Sequence, residues 1–115
     1  MTISNVKPRL STTGEIINAH DGTTRYWDGK FYYHAAEYRE DPDPPQHGGD
    51  DTGSAFHNVS IWTSPDLSSG SWEFQGHAIE CHETPGCDKL YRPHTVYNPR
   101  TQLYVQYWNT RSNTN

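Results

Sequence analysis

Alternating apolar and polar positions dominate the chain from Ile16 to Ala36 and predict a β-hairpin. Aromatic and β-branched residues fill both halves of this stretch, and such residues suit a pleated, half-buried surface. Between the halves lies Asp28-Gly29, and an Asp-Gly turn flanked by alternating apolar runs is the strongest short-range signal of a hairpin. Asp21 precedes the aromatic half of the first strand. It is therefore either a turn residue or a candidate for chemistry.

The same alternation recurs further along the chain and predicts four more strands. Their ranges are His57 to Ser64, Ser71 to Ile79, His94 to Asn98 and Leu103 to Trp108, and a short strand is also expected at Glu15 to Ala19. The polar stretch between residues 37 and 55 is rich in Pro and Gly and predicts a long loop. No segment has the apolar period of an amphipathic helix, so the prediction is an all-β fold.

The composition is typical of a polar, aromatic-rich β protein. The 115 residues suffice for one domain, but only 31% are hydrophobic and the mean hydropathy is −1.01. Aromatic residues reach 13% and the net charge is only −5, whereas disordered chains are poor in aromatics and highly charged. The shortage of aliphatic residues indicates that the chain is part of a larger protein.

Charge and hydropathy exclude several function classes. The pI is about 5.7 and no basic stripe is present, so nucleic-acid binding is not expected. No apolar run is long enough to cross a membrane, and a membrane partner is not expected either. The N-terminal stretch lacks the apolar core of a signal peptide, so a secreted protein would need a leader that this sequence does not contain.

The two cysteines, Cys81 and Cys87, flank a Pro-Gly turn and could close a small disulfide loop in an oxidising compartment. Two free thiols are the alternative. The spacing of Cys and His residues matches no standard zinc site, so neither a metal nor another cofactor is expected. Asn58-Val59-Ser60 is a glycosylation sequon, which has meaning only in a secreted protein.

An internal echo relates the first hairpin to the last one. In both, a polar residue precedes an aromatic strand, a turn and a second aromatic strand, with Asp21 set against His94, 73 positions later. Four strands fit between the two starts, and four-stranded units repeated around an axis are the blades of a β-propeller. A β-sandwich explains the same strands without an axis.

The chain from Ile17 to Asn109 resembles glycoside hydrolase family 43, whose fold is a five-bladed β-propeller. The motifs that carry the resemblance are AHDG, the hairpin with DGKFYY, VSIWTSPDL, SWEFQG and YRPHTVYNPRTQLYVQYW. The branch with galactan 1,3-β-galactosidases is the most similar, because its first strand follows Ala-His and its second blade opens with Arg-Pro. The resemblance implies the first one and a half blades of a truncated propeller.

The implied domain boundaries follow from the same motifs. Residues 1–15 form an irregular lead-in, and residues 16–115 form a partial propeller domain. The first blade covers about 16–80 and the start of the second about 90–110.

The resemblance also implies an inverting glycosidase, which needs two carboxyl groups on either side of the glycosidic bond. Asp21 stands where the family has its general base, at the start of the inner strand of the first blade. The general acid of the family is a Glu of the third blade, beyond Asn115, so the fragment alone is expected to be inactive. His94 stands where the family usually has a pKa-modulating Asp, and Tyr91 stands where the galactosidase branch has a substrate-contacting Glu.

Each candidate residue keeps a structural alternative. His20, Arg92 and His94 are the candidate substrate-binding residues. The structural alternatives are that His20 fills the top of the blade, that Arg92 supports the cysteine loop, and that His94 is an interior histidine with satisfied hydrogen bonds. Asp21 could simply cap a turn, because Asp side chains bond nearby backbone amides. The expected partner is an oligo- or polysaccharide outside the cell.

Two functions therefore remain open. One is a fragment of a hydrolase that acts on galactan or arabinan-type side chains of plant polysaccharides. The other is a non-catalytic carbohydrate-binding propeller.

Overall fold

The computed structural model describes residues 6–40, 54–80, 83–85 and 89–111, and these residues form six strands and almost no helix. The all-β prediction is confirmed. The strands are β1 (His20–Trp27), β2 (Lys30–Glu40), β3 (Ser54–Ser64), β4 (Glu73–Ile79), β5 (Lys89–Asn98) and β6 (Leu103–Arg111). In this described part of the chain, no helix has the length and apolarity of a transmembrane span.

Two antiparallel sheets contain all six strands. The first is a four-stranded meander in the order β1-β2-β3-β4, and the second is the hairpin β5-β6. The turn between β1 and β2 is the predicted one: Asp28 and Gly29 have φ angles of 48° and 80°. Positive φ at both central residues is the signature of the type I′ turn, whose twist matches that of the flanking strands.

The observed strands differ from the predicted ones mainly at their ends. The predicted strand at Glu15 to Ala19 is reduced to a single bridge between Leu10 and Ile16. By contrast, β2 extends to Glu40 and β3 begins at Ser54, so the long polar loop is shorter than predicted. Backbone hydrogen bonds between neighbouring strands continue beyond the residues whose side chains alternate. The hydrophobic pattern of the sequence therefore underestimates the length of β2 and β3.

Apolar residues pack on both faces of the four-stranded sheet. On one face, the N-terminal segment covers the sheet, and its Ser11 forms a parallel bridge with Trp72. The buried cluster on this face consists of Ile17, Ala19, Tyr33, Ala35 and Trp72. On the other face, Val59 and Leu90 are fully buried and join the first sheet to β5. The two clusters combine a few aliphatic residues with alanines, a tyrosine and a tryptophan, so a core forms despite the low aliphatic content.

The β5-β6 hairpin exposes several large side chains to solvent. Its large side chains Tyr97, Leu103, Tyr104, Tyr107 and Trp108 are 36–61% exposed. Trp27 of β1 makes an edge contact with Tyr104, with ring centroids 5.0 Å apart, so the two sheets also meet at the end of β1 that carries the Asp-Gly turn.

The N-terminal end of β1, away from the Asp-Gly turn, contains a β-bulge. His20 pairs with Ala36 and Thr23 pairs with His34, so Asp21 and Gly22 together oppose one residue of β2. A Cβ atom on Gly22 would lie 2.1 Å from the His34 carbonyl oxygen and 2.8 Å from the Ala35 Cβ. Only glycine allows β1 to approach β2 this closely.

We therefore expect Gly22→Ala to destabilise the chain far more than Gly29→Ala. The new methyl group of Gly22→Ala overlaps backbone atoms of β2, which should lower the free energy of unfolding by at least ~2 kcal/mol. The Gly29→Ala control has the strained φ of +80° but open space around the new methyl group, and should lower it by about 1 kcal/mol. Urea unfolding followed by tryptophan fluorescence measures both, and equal losses would contradict the close approach at Gly22.

A second prediction concerns His34, which is 7% exposed and whose Nδ1 is buried without a hydrogen-bond partner in the described structure. Burial lowers its pKa below the ordinary value of 6.5. The unfolded chain therefore binds a proton at a higher pH than the folded chain does. The corresponding stability is present above pH 6.5 and is lost as pH falls through the folded-state pKa.

The variant His34→Leu should remove this part of the pH dependence, because leucine has no proton to bind. We expect the free energy of unfolding of the native chain to fall, relative to that of His34→Leu, as pH is lowered from 7.5 towards 5. The fall should be at most ~1.4 kcal/mol for each unit by which the pKa of His34 differs between the folded and unfolded chains. Urea titrations at a series of pH values measure the difference. A difference that is independent of pH would refute the assignment.

Candidate functional site

Asp21 occupies the bulge of β1 and is exposed to solvent. Its φ angle of 49° lies in the left-handed region, which a non-glycine residue adopts at an energetic cost. A bulge re-aims the side chains of its strand, and the bulge here separates the direction of Asp21 from the regular alternation of β1. The bulge therefore sets where this carboxylate points.

Tyr38 of β2 holds the Asp21 carboxylate, and sequence reasoning did not identify it. The Tyr38 hydroxyl donates a hydrogen bond to Asp21 Oδ2 over 3.0 Å. The pKa of Tyr38 rises from 10.0 to about 12. Burial of the phenol contributes most to this rise, and the hydrogen bond to Asp21 and its negative charge add to it. The signal was present in the hairpin register, because pairing counted from the Asp28-Gly29 turn brings the two residues near each other.

His20 and Asn18 fix Tyr38 in place. The His20 ring stacks on the Tyr38 ring, with centroids 4.4 Å apart and planes 8° from parallel. The Asn18 amide donates to the Tyr38 carbonyl oxygen over 2.6 Å, and its oxygen accepts from the Tyr38 backbone N–H over 3.1 Å. A side-chain amide thereby imitates the hydrogen-bonding pattern of a neighbouring strand. The predicted substrate-binding residue His20 is thus part of the support for Tyr38.

The N-terminal half of β5 contains a bulge like that of β1. Tyr91 pairs with Asn109 and His94 pairs with Tyr107, so Arg92 and Pro93 oppose one residue of β6. Arg92 has a φ angle of 51°, close to that of Asp21, and is exposed. Its positive charge partly offsets the rise in the Tyr38 pKa, which puts Arg92 within electrostatic range of Tyr38.

The repeated bulge corrects the internal echo by two residues. The sequence comparison set Asp21 against His94, but the structural equivalent of Asp21 is Arg92. The equivalent of His94 is Thr23, 71 positions earlier. The fully buried Pro93 takes the place of Gly22. Equivalent positions in the bulges of β1 and β5 therefore carry a carboxylate, that of Asp21, and a guanidinium, that of Arg92.

His94 is held by two side chains of β1. Its Nδ1 lies 2.9 Å from Thr23 Oγ1 and its Nε2 lies 2.9 Å from Arg25 Nη2. Both ring nitrogens thus have partners within the protein. His20 and Asp21 thus lie at the N-terminal end of β1, and Arg92 lies near the N-terminal end of β5. His94 lies where β5 meets β1.

A second group of ionisable side chains lies beside this end of the sheet. His77 of β4 contacts the Glu37 carboxylate through Nε2, and its Nδ1 lies 3.5 Å from Glu80 Oε1. Glu37 directly precedes Tyr38 in β2, and successive strand residues point to opposite faces. Within the described residues, no set of three or more His, Cys, Asp or Glu side chains has an arrangement suited to a metal ion.

Two further features of the sequence are the cysteine pair and the glycosylation sequon. Cys81 and Cys87 lie outside the described residues. In the sequon, Ser60 is fully buried and its hydroxyl contacts the Ala35 carbonyl oxygen over 3.3 Å. Asn58 lies on the interior strand β3 and pairs with Glu37. In the folded chain this sequon therefore lies within a paired strand and not in an exposed loop.

Comparisons with known proteins were made at three levels. No family model matches the chain, and no curated protein matches it. Solved structures do match. One is a glycoside hydrolase family 43 β-1,3-galactosidase solved with galactodeoxynojirimycin, at 24% identity and a TM-score of 0.71 over 97% of this chain and 30% of that one.

Two further structures have the same fold. An exo-β-1,3-galactanase from Clostridium thermocellum is 25% identical, with a TM-score of 0.75 over 98% of this chain and 22% of that one. An exo-β-1,3-galactanase from Phanerochaete chrysosporium, solved with β-1,3-galactotriose, is 24% identical, with a TM-score of 0.66 over 93% of this chain and 23% of that one.

These likenesses distinguish between the two architectures that the sequence left open. The six strands superpose on propeller enzymes, so β1 to β4 form one blade and β5 and β6 begin another. The chain spans only 22–30% of the length of these three structures. The described chain therefore has a glycoside hydrolase family 43-like fold and corresponds to about one and a half blades of a larger β-propeller, as its motifs predicted.

Proposed function

We propose that the chain forms part of an inverting glycoside hydrolase that acts on galactan or arabinan-type polysaccharide side chains, with Asp21 as the general base. The observation that carries this proposal is the exposed Asp21 carboxylate, held on the bulge of an inner strand by the Tyr38 hydroxyl. Three structural neighbours are named for β-1,3-galactosidase or exo-β-1,3-galactanase activity, which favours β-1,3-linked galactose as the substrate. Because such polymers lie outside cells, we infer an extracellular protein.

The proposed mechanism divides the chemistry between two carboxyl groups. In an inverting enzyme, one carboxylate takes a proton from water while a protonated carboxyl group roughly 6.5–9.5 Å away gives one to the leaving oxygen. Tyr38 donates to Oδ2 of Asp21, so Oδ1 of this exposed carboxylate is proposed to receive the proton of the water. We assign the general acid to a part of the protein outside the described residues, as the resemblance implies.

A second candidate function is carbohydrate binding without catalysis. The observation that favours it is Arg92, because the bulge of the second blade presents a guanidinium where the first blade presents a carboxylate. Guanidinium groups donate hydrogen bonds to sugar hydroxyls, but they stay protonated near neutral pH and cannot act as a general base. His20 and Arg92 would then contact the sugar, and Asp21 would accept hydrogen bonds from its hydroxyls.

The variant Asp21→Asn separates these two functions. In the protein that carries this chain, assayed on β-1,3-galactan and on aryl β-galactosides, loss of a general base should lower kcat by about 10²–10⁴-fold with little change in KM. Asp28→Asn is the matched control, because Asp28 is also an exposed aspartate with positive φ but lies at the opposite end of β1. It should leave both constants unchanged.

The other outcomes also have a definite meaning. A higher KM at unchanged kcat would assign Asp21 to substrate binding. Unchanged turnover would remove Asp21 from the mechanism. Failure of the native protein to hydrolyse galactan or arabinan, together with saturable binding of β-1,3-galactobiose, would favour the carbohydrate-binding function.

The Asp21–Tyr38 contact can be tested without any activity. The pKa of Tyr38 is raised to about 12, so its phenol should ionise at higher pH than the ordinary value of 10.0. The difference in ultraviolet absorbance between the native chain and Tyr38→Phe isolates this group as pH rises. Asp21→Asn should move the transition to lower pH, because the negative charge of the Asp21 carboxylate disappears. Circular dichroism at each pH provides the control for unfolding, and an unmoved transition would contradict the contact.

A further inference from the structure

Four side-chain hydrogen bonds cross from β1 to β5 in the described structure, and they all involve Thr23 or Arg25. The Arg25 guanidinium reaches the Thr95 carbonyl oxygen over 3.4 Å through Nε and the His94 ring through Nη2. The Thr23 hydroxyl lies 2.9 Å from His94 Nδ1 and 3.3 Å from the Pro93 carbonyl oxygen. His94 is therefore the centre of the polar connection between the two sheets.

The chemistry of these partners determines where the imidazole carries its proton. A guanidinium has only N–H donors, so Arg25 Nη2 must donate and His94 Nε2 must accept. A nitrogen that accepts a hydrogen bond has no proton, and a neutral imidazole then carries its single proton on Nδ1. That N–H donates to Thr23 Oγ1, whose own hydrogen remains available for the Pro93 carbonyl oxygen.

The donors and acceptors thus form a consistent sequence from Arg25 through His94 and Thr23 to Pro93. The opposite neutral tautomer, with its proton on Nε2, would set two donors against each other at 2.9 Å. Of the two neutral tautomers of His94, only the Nδ1–H form therefore satisfies both neighbours that the structure shows.

We propose that His94 is a positioning residue, locked as the neutral tautomer with its proton on Nδ1, which holds the bulge of β5 in register with the bulge of β1. Thr23 and Arg25 follow Asp21 on β1, and His94 follows Arg92 on β5. The lock therefore fixes the relative position of the two bulges whose backbones carry Asp21 and Arg92. His94 has no ring nitrogen left for a sugar hydroxyl, which replaces the substrate-binding role that its sequence position suggested.

The effect of this lock on substrate rests on the proposed function, but the assignment of the tautomer does not. The two can therefore fail separately.

The first test is a multiple-bond ¹H–¹⁵N correlation spectrum of the chain labelled with ¹⁵N-histidine, recorded at pH 8 and assigned with His94→Gln. The pattern expected for His94 is that of the Nδ1–H tautomer. An Nε2–H tautomer, a doubly protonated ring or an averaged mixture of forms would each overturn the proposal.

The second test removes the donor that fixes the tautomer. Arg25→Met keeps an apolar side chain but loses every N–H group, so His94 should change to a mixture in which the Nε2–H form is populated. Arg100→Met is the control, because Arg100 is an exposed residue of the β5-β6 turn and lies away from the sheet junction. A His94 spectrum that is unchanged in Arg25→Met would overturn the proposal.

The third test separates positioning from direct contact with a sugar. Titration with β-1,3-galactobiose should show roughly tenfold weaker binding for both Arg25→Met and His94→Gln, the effect of losing one hydrogen bond to a charged group. If His94 contacts the sugar itself, His94→Gln alone should weaken binding, and this result would overturn the positioning role. If the native protein binds no galactoside, the proposed function fails, while the tautomer assignment is still decided by the spectra.

Discussion

The close approach of Gly22 to β2 is the constraint on which the rest of the site depends. A methyl group at this position would overlap the His34 carbonyl oxygen, so β1 can pair with β2 only through a residue without a side chain. The bulge that results places Asp21 in the left-handed region and turns its carboxylate towards Tyr38. A backbone contact thus determines the position of the candidate general base.

The second sheet solves the same geometric problem with different residues. At the bulge of β5, Pro93 replaces glycine and is fully buried, and Arg92 takes the left-handed φ. Proline donates no hydrogen bond and is tolerated in strands at bulges, so it can fill this position without breaking a ladder bond. The two inner strands are then joined through His94. The backbone geometry is repeated, whereas the charge at the bulge is reversed.

Sequence reasoning succeeded where the signal is local. The Asp28-Gly29 turn and the alternation around it predicted the first hairpin because both depend on residues that are adjacent in the chain. The bulge at Asp21 escaped prediction because it depends on the partner strand. The sequence comparison therefore set the two hairpins 73 positions apart, whereas the structure sets them 71 apart. Tyr38 and the roles of His94 escaped for a related reason, since their partners belong to other strands or to the other sheet.

The reversed charge at the two bulges has a consequence for the site as a whole. A carboxylate and a guanidinium at equivalent positions attract each other, and unrestrained side chains would pair directly and remove both from a substrate. In this chain Tyr38 engages the Asp21 carboxylate, and the Arg25–His94–Thr23 contacts fix the strand that carries Arg92. These contacts hold the backbone at both bulges, and within the described residues no ion pair joins the Asp21 carboxylate to the Arg92 guanidinium. Under the proposed function, neither charge would have to be freed from the other before it meets a polar group of the substrate.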